Sequence, residues 1–227
     1  GAGALVRLSQ ESLKLYDQLI PSEQLECGYA QPGSFLLFRT DEGLEQGLKE
    51  AELLRAYGVS FSAKSGSEVH AQQPAIRQEI AGGIYFKDDA HFDPAKFVSA
   101  LAACVTQKGG VIEEQTEVLG FHCEGDRIAR VHTGQGEYTP DQVVLAAGSW
   151  SPRLVRPLRL NLPVQPAKGY SVTFRNPGSL LSVPLILGEA RVGVNPMGPM
   201  LRLAGTLEMT GIDTSINRRR VQAVVRA

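Results

Sequence analysis

The 227-residue sequence predicts an α+β fold in which an antiparallel-rich part is combined with part of an α/β domain, and three stretches lead to that class. Asp93-Pro-Ala-Lys-Phe-Val-Ser-Ala-Leu-Ala-Ala-Cys-Val105 is the best amphipathic helix in the chain. Val143-Val-Leu-Ala-Ala-Gly-Ser-Trp-Ser-Pro152 is an apolar run that ends in small residues and a helix start, the pattern of a strand-to-helix turn in an α/β sheet. After residue 160 the chain changes to strand-like runs separated by Pro/Gly turns, which suggests a mostly antiparallel sheet.

Composition narrows the function classes. With 43% hydrophobic and 21% charged residues and a formal net charge of -1, the sequence reads as an ordinary soluble globular protein, and nothing in that balance favours nucleic acid. No apolar run approaches the ~20 residues of a membrane span and no signal-peptide layout opens the chain, so a cytoplasmic location is expected. Cys27, Cys104 and Cys123 are scattered without a C-x-x-C pair and read as free thiols.

Residues 4–20 carry leucines at helical spacing and predict an amphipathic helix stopped by Pro21. The Gly1-Ala-Gly3 opening is no dinucleotide fingerprint, because no strand precedes it and no third glycine follows at the required spacing. Ser34 to Thr40 reads as a strand, with Thr40 capping a helix that runs to Gly58 and Val59-Ser-Phe61 as a short strand beyond it. Ser65 or Ser67 opens a short helix halted by Pro74, and Gly82 to Phe86 is a further strand.

Asp93 caps the helix to Val105, with Pro94 at its first position and Phe97, Leu101, Cys104 and Val105 on one face. Val111-Ile112, Thr116 to Phe121, Arg127 to Thr133 and Gly136 to Tyr138 continue as strands in a meander leading to Val143. Val143, Val144 and Leu145 have the branched apolar character of a strand covered on both faces. Gly148 permits dihedrals that a Cβ would forbid, and Ser149 or Ser151 can cap the turn. By spacing alone this is equally an ordinary junction packed with small residues. Val164 to Phe174, Val183 to Leu187, Ala190 to Val194 and Met200 to Leu207 complete the strands, and Ser215 opens a final helix.

His122, Cys123 and His132 lie close in sequence, but neighbours on a strand point to opposite faces, so no metal is expected there. His91 with Asp88, Asp89 and Asp93 is explained by a cap and a solvated loop, and Arg218-Arg-Arg220 by a solvated helix face. No nucleophile elbow, P-loop or catalytic dyad is visible, and the catalytic residues are left unassigned. Lys168-Gly169-Tyr170 reads either as a strand edge or bulge or as a site element.

Val143-Val-Leu-Ala-Ala-Gly-Ser-Trp-Ser151 followed by Leu162-Pro-Val-Gln-Pro-Ala-Lys-Gly-Tyr-Ser-Val-Thr173 resembles the middle of the FAD-dependent D-amino-acid dehydrogenases, within the wider D-amino-acid oxidase and glycine oxidase family. Arg202-Leu-Ala-Gly-Thr-Leu-Glu208 with Gly211-Ile-Asp213 resembles a further family block, R-x-G-G-T-x-E followed by G-x-D. The resemblance implies residues 1–90 as the first part of a substrate domain, 91–160 as part of the FAD-binding domain and 161–227 as the second part of the substrate domain. It implies cofactor contacts at Val118, Ala146, Ala147, Gly148, Ser149 and Trp150. Lys168 and Tyr170 become candidates for the substrate side or for tuning the flavin, since a cation there would stabilise charge on the reduced ring.

The implied reaction passes the α-hydrogen of a D-amino acid as hydride to FAD, releases a 2-oxo acid and ammonia after imine hydrolysis, and delivers electrons to a quinone or other acceptor. Alternatives are a glycine- or sarcosine-oxidase-like chain and a free-standing ligand-binding domain without redox chemistry. The resemblance also implies that the N-terminal G-x-G-x-x-G unit and the C-terminal segment with the substrate-carboxylate arginine are absent from this chain. A colourless middle portion, inactive alone, is therefore expected, with homodimerisation through exposed apolar strands and a location in the cytoplasm or peripheral to the inner face of the membrane.

Overall fold

The structure, a computed structural model, describes residues 2–76, 79–175, 177–178 and 181–227, so Gly1 of the opening tripeptide lies outside it. Contacts divide the chain into two compact units, residues 1–108, 169–206 and 216–227 in the first and residues 109–168 and 207–215 in the second.

The first unit is built on a seven-stranded mixed sheet. Its strands are Ser34–Phe38 (β1), Ser62–Ser65 (β2), Gly82–Phe86 (β3), Lys168–Arg175 (β7), Leu185–Leu187 (β8), Val192–Met197 (β9) and Met200–Glu208 (β10). Their order is β2-β3-β1-β8-β9-β10-β7, with β1 and β8 parallel. Alternation along β1 decides both cores. Phe35 and Leu37 enter a cluster with Val69, Leu185, Val192, Val194 and Val224, whereas Leu36 and Phe38 face Ala51, Leu44 and Leu48. The first cluster is closed by helix Gly66–Gln72 (α3) through Val69 and by helix Arg218–Arg226 (α6) through Val221 and Val224. The second is closed by helix Asp41–Arg55 (α2), whose Thr40 cap accepts from the Gly43 N–H at 3.1 Å.

Helices Ala2–Ser22 (α1) and Pro94–Gln107 (α4) meet around buried Ile20, Leu25 and Cys27, where the rings of Tyr16, Phe92 and Phe97 meet at tilted and edge-on angles. Asp93 caps α4 as its sequence predicts, accepting from the Ala95 and Lys96 N–H groups. By contacts α4 groups with the first unit, so the boundaries at 90 and 160 are a reading of the family resemblance and not of compactness.

In the second unit, Val118–Glu124 (β4), Arg127–Thr133 (β5) and Gly136–Tyr138 (β6) form a small antiparallel meander, followed by a short helix, Ser151–Val155 (α5). The α+β class is thus observed, and several local expectations are corrected. Residues 143–147 are irregular and Val144 is 89% exposed, because an apolar run becomes a strand only where a neighbouring strand takes up its backbone groups, and among the described residues none pairs with it. Val111-Ile112 is irregular for the same reason. Neither Ser149 nor Ser151 makes a capping hydrogen bond, and Ser151 is buried instead. The strand expected at residues 59–61 forms at 62–65, directly before the Ser65 cap, whose capping box with Glu68 sets the helix start. Pro21 sits inside the last turn of α1, one residue before its end at Ser22, so the expected stop comes within the ordinary scatter of a helix boundary. Val105 is 41% exposed while Phe97, Leu101 and Cys104 pack inward. The last helix starts at Asn217, whose side chain accepts from the Arg219 N–H, because Ser215 is held by Asp213.

Candidate functional site

A groove of 780 Å³ lies in the second unit. Its walls are mainly apolar, with Val118, Leu119 and Phe121 contributed by β4, Val131 by β5, and Val143 to Ala147 by the irregular stretch; Trp150, Arg153 and Leu154 close its helical side. The local sequence explains the shape. Ala146 and Ala147 withdraw side-chain volume, and Gly148 then turns the chain at φ +51, a left-handed value that a glycine adopts without strain. An ideal Cβ on Gly148 would meet nothing within 4 Å, so the backbone there is open to approach.

Of the six expected cofactor contacts, the structure brings Val118, Ala146, Ala147 and Trp150 together in this groove, while Gly148 and Ser149 do not line it. Phe121, Val131, Arg153 and Leu154 join them and have no separate sequence signal, since each is an unremarkable residue of a strand or helix until the fold supplies its neighbours. The flat apolar walls and the open turn suit an aromatic heterocycle approaching backbone, so the residues present fit one end of a dinucleotide cofactor.

Lys168 and Tyr170 are not part of the groove. The Lys168 ammonium donates to Asp213 Oδ2 at 3.0 Å and to the Ser215 carbonyl at 3.0 Å, and pairs with Glu208 Oε2 at 3.1 Å. Glu208 is buried, and the Asp213 carboxyl also accepts from the Ser215 N–H and hydroxyl. The Ser215 N–H, then the Lys168 ammonium and the Ser215 hydroxyl, hold the Asp213 carboxyl down at about 2. Two carboxylates therefore face one ammonium, and the charge of Lys168 is matched locally. Tyr170 is buried in the core of the first unit, its hydroxyl accepting the Asn217 N–H at 3.1 Å. Glu208 and Asp213 have no role in the sequence reading beyond the family block; their pairing with a lysine some forty residues earlier is a tertiary fact. Gln73, also without an expected role, is buried and accepts the Ser182 N–H at 2.9 Å, bridging α3 to the chain before β8. Among the described residues no group of three metal-ligating side chains is assembled. No helix among them is long and apolar enough to cross a membrane.

The family model described as DAO, FAD dependent oxidoreductase, matches residues 1–227. A D-amino acid dehydrogenase of Cereibacter sphaeroides is 33% identical over 219 residues, covering 94% of this chain and 50% of that protein. One from Paramagnetospirillum magneticum is 36% identical over 190 residues, covering 82% and 45%. The chain thus spans about half the length of these relatives. Among solved structures, glycine oxidase from Bacillus cereus superposes with a TM-score of 0.87 at 23% identity over 98% of this chain and 62% of that one. L-proline dehydrogenase from P. horikoshii gives 0.83 at 19% identity, covering 97% and 60%, and both likenesses describe the fold. With the family model matching throughout its length, the chain belongs to the DAO family of FAD-dependent oxidoreductases.

Proposed function

We propose that residues 1–227 supply the amino-acid side and one wall of the FAD site in a flavoprotein that oxidises a D-amino acid to a 2-oxo acid and ammonia, with a quinone or another acceptor taking the electrons. The observation that carries this reading is the groove of the second unit, in which Val118, Ala146, Ala147 and Trp150 converge from separate parts of the sequence. The choice of a D-amino acid over glycine or sarcosine draws on relatives 33% and 36% identical that bear the name D-amino acid dehydrogenase.

FAD, when bound, supplies the hydride acceptor. The chain's own residues shape the surface that it meets. Val118 and Val131 offer an apolar wall, Ala146 and Ala147 give room for a flat group, and Gly148 turns the chain next to them at a left-handed φ that glycine adopts without strain. The described residues present no acid–base dyad in the groove, in keeping with chemistry that needs the Cα–H bond positioned and a dry, shaped surface.

The test is anaerobic reduction of a flavin-retaining protein that contains residues 1–227 by a panel of D-amino acids, their L-enantiomers, glycine and sarcosine. Loss of oxidised-flavin absorbance with D-amino acids is the expected result. Reduction by glycine or sarcosine and by no D-amino acid sinks the assignment.

A further inference from the structure

The strand β10 carries a charge that the fold leaves unanswered. Leu201 and Leu203 pack against the first core cluster, so Arg202 between them lies on the opposite face of the sheet. It is half-buried, on a strand flanked by β9 and β7, yet among the described residues it has no ion pair or hydrogen bond from its side chain. Its register partner on β9 is Asn195, whose Nδ2 lies 3.5 Å from the position a Cβ on Gly193 would take, so that amide lies over Gly193 on this same face. The face continues onto β7 as Gly169, Ser171 and Thr173, all exposed, while Tyr170 between them faces the core. Four residues beyond Arg202, Thr206 has φ +59 and a buried hydroxyl without a hydrogen-bond partner, so strain unusual for a β-branched residue falls on the same strand.

We propose that Arg202, with the Asn195 amide beside it, receives the carboxylate of the amino-acid substrate on this face of the sheet. The inference rests on the reading under Proposed function and adds to it a recognition group distinct from the carboxylate arginine that the family resemblance locates outside this chain. A partly desolvated guanidinium without a counter-charge is costly to keep, and a planar carboxylate repays that cost through paired, charge-assisted hydrogen bonds. The surrounding glycine, serine and threonine side chains are small enough to let a ligand approach and bring no competing negative charge. An acidic side chain from elsewhere in a longer polypeptide is the competing occupant, and it makes the opposite predictions.

The experiment compares Arg202→Gln and Arg202→Lys with the parent in a flavin-retaining protein that contains residues 1–227, first without amino acid by thermal unfolding and then by anaerobic stopped flow. The probes are whichever D-amino acid reduces the parent fastest and the carboxamide of that amino acid, which lacks the anion. Arg202→Gln is expected to unfold at an unchanged or higher temperature, to weaken the apparent Kd for the D-amino acid by about 10- to 150-fold, and to leave the carboxamide unaffected. Arg202→Lys is expected to fall between the two. An unchanged Kd for the amino acid, or an equal loss for both probes, overturns the role of Arg202 while leaving the proposed reaction intact. A lower unfolding temperature with unchanged Kd assigns Arg202 to an internal ion pair and likewise overturns it. Failure of every D-amino acid to reduce the parent removes the proposed reaction itself and this inference with it.

Discussion

Asp213 shows how local contacts convert into pH dependence. Its carboxyl titrates at about 2 in the fold against an ordinary 3.8, so the ionised form is favoured by folding. A depressed folded value contributes stability above the unfolded one and loses it as pH falls between the two. Asp213→Asn should therefore unfold at a lower urea concentration than the parent above ~pH 4, with the gap closing as pH drops towards 2. A gap that stays constant down the acid limb would show that the carboxylate charge is not its source. Gly148 makes a second prediction at this scale. Valine at φ +51 costs about 1–3 kcal/mol in backbone strain and would shift the turn that follows Ala146 and Ala147. Gly148→Val should lower the flavin content of the FAD-loaded protein while the far-UV spectrum stays that of the parent, and full flavin occupancy would remove Ala146–Trp150 from the cofactor site.

Helix α2 illustrates how an element is decided by what it packs on. Glycine in a helix interior costs roughly 1 kcal/mol against alanine, so propensity alone says that Gly47→Ala stabilises. Gly47 is buried, however, and a methyl group there would overlap the Phe38 ring that the same strand turns towards the helix. Overpacking costs about 1–3 kcal/mol and outweighs the propensity gain. Gly47→Ala is expected to lower the denaturation midpoint, and a rise would show that Phe38 moves aside freely.

For the whole molecule, the expectations concern cofactor retention and association. The 227-residue sequence contains no G-x-G-x-x-G fingerprint to cradle a pyrophosphate at a helix N-terminus. This polypeptide purified by itself should be colourless, and flavin that survives gel filtration would show that the groove suffices. Val111 and Val144 are 80% and 89% exposed in the second unit, together with Ile112 at 47%. Apolar surface of that kind favours self-association, so sedimentation velocity should show concentration-dependent dimers that a Val111→Ser/Val144→Ser double substitution weakens. A monomer at all concentrations would count against that use of the surface.

What the sequence by itself determined is whatever short-range chemistry controls. The Asp93-Pro94 helix start, the Thr40 and Ser65 caps and the left-handed turn at Gly148 are legible because each depends on residues within one or two turns. The motif around Ala146–Trp150 is a candidate cofactor contact only through the resemblance of its block order with Lys168-Gly-Tyr170 to the family, because its small residues by themselves equally describe an ordinary junction. Tertiary structure alone decided that residues 143–147 do not become a strand, because strand formation depends on a partner's hydrogen bonds and an apolar run carries no information about whether one is present. It also decided that Lys168 faces Glu208 and Asp213, that Tyr170 belongs to a core, and that Arg202 has no counter-charge among the described residues. Those outcomes depend on which distant segments the sheet order brings together, and charge balance at a point in space is a property of that order, not of any window along the chain.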